Sequence, residues 1–334
     1  MRKLEYLSPT GINQWRKDTK EFYLMYLADT RAPRFAQTKP MSIGSAFDAH
    51  VKSFLHEHLF GKNNDPKFNL VTLFEAQVES QNRDWAWEHG AQAFAYYKAS
   101  GALADLMGEL GQAVGTPRFE IEVKGAIAGQ REGITVKLAN DVVLLGKPDV
   151  FYINRFGVHV ILDWKVNGWC SKASPMPGYI NIRSGSGTPT IGGPHKDCIP
   201  MSWKGSTINC GQYLNDLNDE WASQLAIYSW LCGAEVGEEF IAAIDQFACK
   251  TIPNVKFPEV RVAQHRLRVH TDYQWAVFAQ AQKIWEVVHS DHIFRDLSYN
   301  ESRNLCATLE SQAASLAKPA TEADDLFNKM TRQG

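Results

Sequence analysis

Residues 142–166 read VVLLGKPDVFYINRFGVHVILDWKV. Two apolar, β-rich runs, VVLLGKPDVFYI and VHVILDWKV, flank Asn154-Arg-Phe-Gly157, where Asn and Gly suit a tight reversal, so the stretch reads as a β-hairpin. Its second arm buries Val160, Ile161 and Leu162 and then continues with Asp163 and Lys165. These two charges share one face, because side chains alternate along a strand and Trp164 points the other way. Folding the hairpin about 154–157 sets Asp149 almost opposite Asp163. Two carboxylates and an ammonium then converge on one patch. Carboxylates that close repel, and one takes up a proton unless a cation stands between them. A divalent metal or Lys165 alone would satisfy the patch; a surface Asp-Lys pair on an edge strand, beside a Pro-Asp turn, is the plainer alternative.

Magnesium fits such a patch because it takes one or two carboxylates and leaves positions for water and phosphate oxygens. Bound metal polarises a phosphoryl group and lowers the pKa of water, and Lys165 could position that water or help to deprotonate it. The patch therefore points towards metal-assisted phosphodiester hydrolysis.

The flanking chain supplies helices and further strands. Ser8-Pro-Thr10 opens a helical stretch, GINQWRKDTKEFYLMYL, and Gly44 to Leu59 reads as a second helix with Phe47, Val51, Phe54 and Leu55 on one side. Residues 65 to 116 read as more helix, stopped by Gly115-Thr-Pro117. FEIEV and GITVKL then join the hairpin arms in the pattern of an antiparallel meander. Asn167 to Asn218 is rich in Gly, Pro and Ser and shows no period, which marks it as a functional loop or a disordered one. EWASQLAIYSWLC (220–232) is helical, FIAAIDQFAC is a buried strand, EVRVAQHRLRVH alternates, and Thr271-Asp272 caps a last helix.

GKPDV followed by LDWKV resembles the signature of the PD-(D/E)xK nuclease superfamily. The surrounding chain is similar to its RecB-like exonuclease branch: LSPTGINQWRKDTKEFYLMYL resembles the opening helix, GSAFDAHV the GxxxH helix, and EWASQLAIYSW the YxxQxxxY helix. Four motifs in the right order cover residues from about 7 to 290. The resemblance implies an α/β fold with a restriction-endonuclease-like core, a central mixed β-sheet flanked by helices, and an N-terminal helical extension. On that division residues 1–116 form the helical region with the GxxxH-like helix, 117–300 the nuclease core with its loop at 167–218, and 301–334 a tail.

The resemblance also assigns roles. Asp149 and Asp163 are the metal-binding carboxylates, Lys165 the catalytic lysine, and the Val166 carbonyl a further ligand to Mg2+ or Mn2+. Gln224 and Tyr228, four apart on one helix face, brace the site and contact DNA near the scissile phosphate; Trp221 stands where the motif often has Tyr. The GxxxH histidine falls on Asp48, itself a hard ligand, with His50 two residues on as the alternative. Glu120 or Glu122 supports the metal, or both face solvent. Several relatives carry an iron-sulfur cluster, but where they have a Cys in the opening helix this chain has Asp18-Thr19, and only Cys306 lies late in the sequence. With four cysteines not brought together, no iron-sulfur cluster is expected.

The implied activity is exonucleolytic hydrolysis of DNA in recombination, repair or phage DNA processing. The same fold also serves endonucleases, and a DNA-binding or partner-binding protein on a nuclease scaffold is the rival from another class. DNA with single- or double-stranded ends is the expected partner, and a recombination or single-strand-binding protein a second one. A ring of identical subunits would help a processive enzyme hold its substrate.

Composition is compatible with this reading. The 334 residues, 44% of them hydrophobic, can bury a large core, and a net charge of -2 confines any attraction for phosphate to local basic surface. The start MRKLEYLSPT lacks a signal-like apolar region and no stretch reaches membrane-spanning length, so a bacterial or phage-infected cytoplasm is expected, with six reduced cysteines. No GxxxxGK[ST] phosphate loop occurs. His56 and His58 diverge on a helix, unlike a zinc-binding i,i+4 pair, and read as an exposed face. Cys170, His195, Cys198 and Cys210 match no standard zinc spacing. In the 167–218 loop, Lys172, Arg183, Lys196 and Lys204 alternate with Trp169, Tyr179 and Trp203, so it either guides a DNA strand or is a plain surface insertion.

Overall fold

The structure, a computed structural model, describes residues 2–30, 36–62, 65–119, 123–127, 129–131, 134–136, 142–166, 168–170, 200–209, 213–290, 292 and 294. The chain divides into two compact units, one of Met1–Phe35 with Ala281–Gly334 and one of Ala36–Gln280. The helices read as part of an N-terminal region over 1–116 are thus shared between units, and those after residue 36 belong with the sheet.

In the smaller unit, helix α1 (Pro9–Lys17) starts at Ser8, whose hydroxyl accepts from Gly11 N at 3.1 Å. The single long opening helix expected from sequence is interrupted at Asp18. That residue is extended, and its carboxylate accepts from Lys20 N at 2.9 Å and Glu21 N at 3.1 Å, capping α2 (Thr19–Phe22) before a π-turn over Tyr23–Leu27. A carboxylate placed this way satisfies the amides of a new helix better than it continues an old one.

In the larger unit, α3 (Lys39–Phe60), α4 (Leu70–Gln77), α5 (Arg83–Ala99) and α6 (Ala102–Gly111) precede the strands. These are β1 (Val114–Phe119), β2 (Val123–Ile127), β3 (Gly129–Arg131), β4 (Ile134–Val136), β5 (Val142–Gly146), β6 (Val150–Ile153), β7 (His159–Lys165), β8 (Pro200–Trp203) and β9 (Ser206–Asn209). α7 (Leu214–Leu217), α8 (Asp219–Leu231), β10 (Ile241–Lys250) and β11 (Glu259–Leu267) follow, and α9 (Thr271–His289) begins in this unit and runs past its last residue, Gln280.

A five-stranded mixed sheet in the order β1-β6-β7-β10-β11 forms the centre, with β7 and β10 parallel and the other pairs antiparallel. The fold is α/β, the sheet flanked by helices. Crossing from β7 to a parallel neighbour requires a long connection, and α8 lies on it. β10 is buried from Ile241 to Cys249 and has partners on both sides, as a central strand covered on both faces should, and it takes Asp245 and Gln246 into the interior with it.

The hairpin forms as its sequence indicates. Val150 pairs with Leu162 and Ile153 with His159, and Asn154 Oδ1 accepts from Phe156 N and Val158 N, both at 3.0 Å, while Gly157 takes φ 79°. Two details differ from the meander expected. VVLLGKPDVFYI is not one strand: β5 pairs with β2 in a separate ladder, and Lys147-Pro148-Asp149 carries the chain into β6. Gly115-Thr-Pro117 does not end a helix but lies inside β1, an edge strand whose register shifts between Val114 and Arg118; an edge tolerates Pro and a bulge.

Trp164 faces the helical layer, with its ring 6.1 Å from Phe47 and its Nε1 donating to Tyr97 Oη at 3.2 Å. α3 and α5 pack closely because Gly90 has no side chain: a Cβ there would come within 2.5 Å of Ala46 Cβ. His56, read as part of an exposed face, is instead buried, stacked 4.1 Å from Phe68. Burial lowers its pKa.

Candidate functional site

Asp149 and Asp163 meet as the hairpin register requires, one step beyond the Val150–Leu162 pair. The turn into β6 leaves Asp149 Oδ2 to accept from Trp164 N at 3.1 Å, and its carboxylate is hydrogen-bonded to that of Asp163. Asp163 is buried, and the Lys165 ammonium lies against its Oδ2. Burial, together with the charge of Asp149, pushes the Asp163 carboxyl up to about 7 despite Lys165. Burial acts the same way on Asp149, but Lys52 and Lys165 outweigh it and hold that carboxyl below its usual range. Of the two carboxyls, Asp163 is therefore the one that holds on to a proton.

α8 closes the other side. Gln224 Oε1 accepts from Lys165 Nζ at 3.4 Å and Gln224 Nε2 donates to Tyr228 Oη at 3.1 Å, so the two residues four apart on one helix face reach the strand together. Tyr228 is buried, and burial and Asp163 raise its pKa, which keeps the phenol protonated. Lys165 Nζ also stands 5.5 Å from the Trp221 ring centre, within cation–π range. Gly146 permits this approach: a Cβ there would meet Tyr228 Cδ1 and Leu231 Cδ1 at 2.7 Å. The glycine of GKPDV is thus a packing requirement of the helix that carries Gln224.

A lysine links Asp48 to the patch. Lys52, one turn further along α3, places Nζ 2.6 Å from Asp48 Oδ2 and 3.0 Å from Asp149 Oδ1, with its side chain 2% exposed. Nothing in the sequence reading included Lys52. Its spacing from Asp48 suggests an ordinary surface i,i+4 pair, and the only signal against that is its position within the apolar face of α3.

His50, the alternative to Asp48, is not brought to the carboxylates. Its ring lies 5.2 Å from Trp87 and 6.1 Å from Phe94 on α5, its Nε2 is buried with no hydrogen-bond partner among the described residues, and burial lowers its pKa. Two positions along a helix are too far around its axis to share a face with Asp48. Val166 follows β7 and is buried; Glu120 and Glu122 lie outside the described residues. Among the described residues no group of three or more His, Cys, Asp or Glu is arranged to hold a metal ion. The reason is visible: Asp48 and one oxygen of Asp149 are turned to Lys52, which leaves Asp149 and Asp163 as the facing pair.

The long loop is only partly described. Residues 171–199 and 210–212, with Lys172, Tyr179, Arg183, His195, Lys196, Cys198 and Cys210, lie outside the described residues. Trp169 is no free stacking surface: it is buried and its Nε1 meets His89 Nδ1 at 3.1 Å. Within the stretch read as aperiodic, β8 and β9 form a hairpin around Lys204-Gly205, both at positive φ, 43° and 77°. Its Trp203 has Lys204 over one ring contact at 4.9 Å and Arg268 at 5.6 Å. No helix among the described residues is long and apolar enough to cross a membrane.

No family model matches the chain, and no curated protein matches it. Among solved structures, a chain described as the crystal structure of SSO0001 aligns over 84% of this chain and 81% of its own at 12% identity, with a TM-score of 0.26. A superposition that loose bears on neither fold nor chemistry.

Proposed function

We propose that the chain is a metal-dependent deoxyribonuclease, an exonuclease acting at DNA ends, built on a restriction-endonuclease-like core. The observation that carries this reading is the buried Asp149–Asp163 carboxyl pair with Lys165 against it and Gln224 beside the lysine. A carboxyl pair that must share a proton near neutral pH is a donor set in want of a cation, and two hard oxygens on adjacent strands suit Mg2+ or Mn2+. Asp149 and Asp163 would hold the ion, with the Val166 carbonyl as the further ligand that the family resemblance implies. When bound, the ion supplies Lewis-acid polarisation of the phosphoryl group and activation of water.

The chain's own residues do the rest. Lys165, fixed between Asp163 and Gln224 and lying near Trp221, would offer a positive charge, and its donor not directed at those two residues, to a phosphate oxygen or the attacking water. Gln224 is in turn held by Tyr228, whose protonated phenol remains a donor at neutral pH. Trp164 N fixes one oxygen of Asp149 so that the carboxylate does not rotate away from Asp163.

Incubation of the protein with end-labelled linear and closed circular DNA, in Mg2+, Mn2+ or EDTA, tests the reading. Cutting of linear DNA alone is expected; cutting of circles would reassign the enzyme as an endonuclease, and no metal-dependent cutting of single- or double-stranded DNA would reject both. Asp163→Ala and Lys165→Ala should each abolish cleavage with the circular dichroism spectrum retained.

A further inference from the structure

Lys52 is the most deeply buried cation at the site, and it takes up the carboxylate oxygens that a second metal ion would need. Its ammonium binds Asp48 Oδ2 at 2.6 Å and Asp149 Oδ1 at 3.0 Å and stands 5.9 Å from the Trp164 ring centre, so its position is set from three sides. Burying an ammonium is unfavourable by several kcal/mol unless it is paired and hydrogen-bonded, and Asp48 and Asp149 provide that pairing here. Resting on the nuclease reading above, we infer that Lys52 is a built-in second cation, which makes this a one-metal site.

Two-metal phosphodiester sites set their ions about 3.5–4 Å apart and share a carboxylate between them. In this chain the shareable carboxylate is Asp149, and a second ion on its Oδ1 side would have to displace the Lys52 ammonium, while Oδ2, which accepts one hydrogen bond from Trp164 N, keeps a lone pair for the first ion. Asp48, a further carboxylate on this side, is turned to the same ammonium. The ammonium cannot act as a Lewis acid, so Lys52 would neutralise and orient, while Asp149 and Asp163 hold the ion. Lys52 is a positioning residue, and Asp48 serves it rather than the metal.

The test is Mn2+ stoichiometry, read by titration calorimetry and by electron paramagnetic resonance of free Mn2+ on the full chain, with Asp163→Asn as the blank for surface binding. One Mn2+ per chain is expected above that blank. Lys52→Met should bind a second Mn2+ or bind the first at least tenfold more tightly, and Lys52→Arg should behave as wild type. Two Mn2+ per wild-type chain, or a Lys52→Met protein with unchanged stoichiometry and affinity, would overturn the inference. If Lys52→Met does not fold, Asp48→Asn decides: it should still bind one Mn2+, and loss of the ion would refute the role given to Asp48. Absence of any Mn2+ binding above the blank would instead reject the nuclease reading itself.

Discussion

Asp163 shows how much one side chain's surroundings can alter its chemistry. Its carboxyl is raised to about 7, chiefly by burial and then by Asp149, against about 3.9 in an unfolded chain. Between those values the folded chain holds a proton that the unfolded chain has released, so folding is linked to proton uptake. Without divalent metal, stability should therefore fall as pH rises from about 4 through about 7. Asp149, held low, has the opposite sense, and its contribution is lost as pH falls through and below the ordinary carboxylate range. Since the two carboxyls titrate as a pair, the check is a difference: in EDTA the melting temperature of wild type should drop between pH 5 and 8 more than that of Asp163→Asn. Equal pH profiles would mean that Asp163 is ionised throughout. The pairing of Asp149 with Asp163 was legible in the sequence because strand alternation and a recognisable turn fix the register. Lys52 was not, because helical spacing says which residues are neighbours but not how deeply they are buried.

At the scale of elements, the same contrast holds. The 154–157 turn, the buried β10 and the Gln224–Tyr228 face of α8 follow from local pattern. The β8–β9 hairpin escaped notice because its strands are four residues each and its turn, Lys204-Gly205, lacks the Asn or Asp that usually marks one. The Gly115–Pro117 segment misled for a different reason: turn-forming residues also occur in bulged edge strands, and only the pairing distinguishes the two. The close approach of α3 and α5 depends on Gly90 in the middle of a helix, where glycine otherwise weakens the fold. Gly90→Ala would force its Cβ against Ala46 and should destabilise the protein by about 1–3 kcal/mol in urea unfolding. Unaltered stability would show that the helices separate freely.

For the molecule as a whole, the larger unit depends on a charge pair buried within its sheet. Arg266 on β11 donates to Asp245 Oδ1 on β10 at 2.8 Å, and the other oxygen of Asp245, which is wholly buried, accepts from Tyr97 Oη on α5 at 2.5 Å. Tyr97 in turn accepts from Trp164, so one polar chain links the layer of helices to the strand of Asp163 and Lys165. Removing one member strands the other in the interior. Asp245→Ala should therefore cost about 3–5 kcal/mol, measured by chemical denaturation, and a loss under 1 kcal/mol would show that Arg266 is readily rehydrated.

The parallel pairing of β7 with β10 has a kinetic consequence. Val160 aligns with Ile241, so the centre of the sheet joins segments separated by the whole 167–218 stretch, which includes α7, and by α8, and that loop must close before the pairing is rewarded. The β6–β7 hairpin needs no such closure. On refolding, Asp149 and Asp163 should come together early in an exposed ribbon, while Gln224 and Tyr228 arrive only with the slow, long-range step. Carboxylates would then precede their cover, and a divalent ion present during that interval could be captured before the site closes over it.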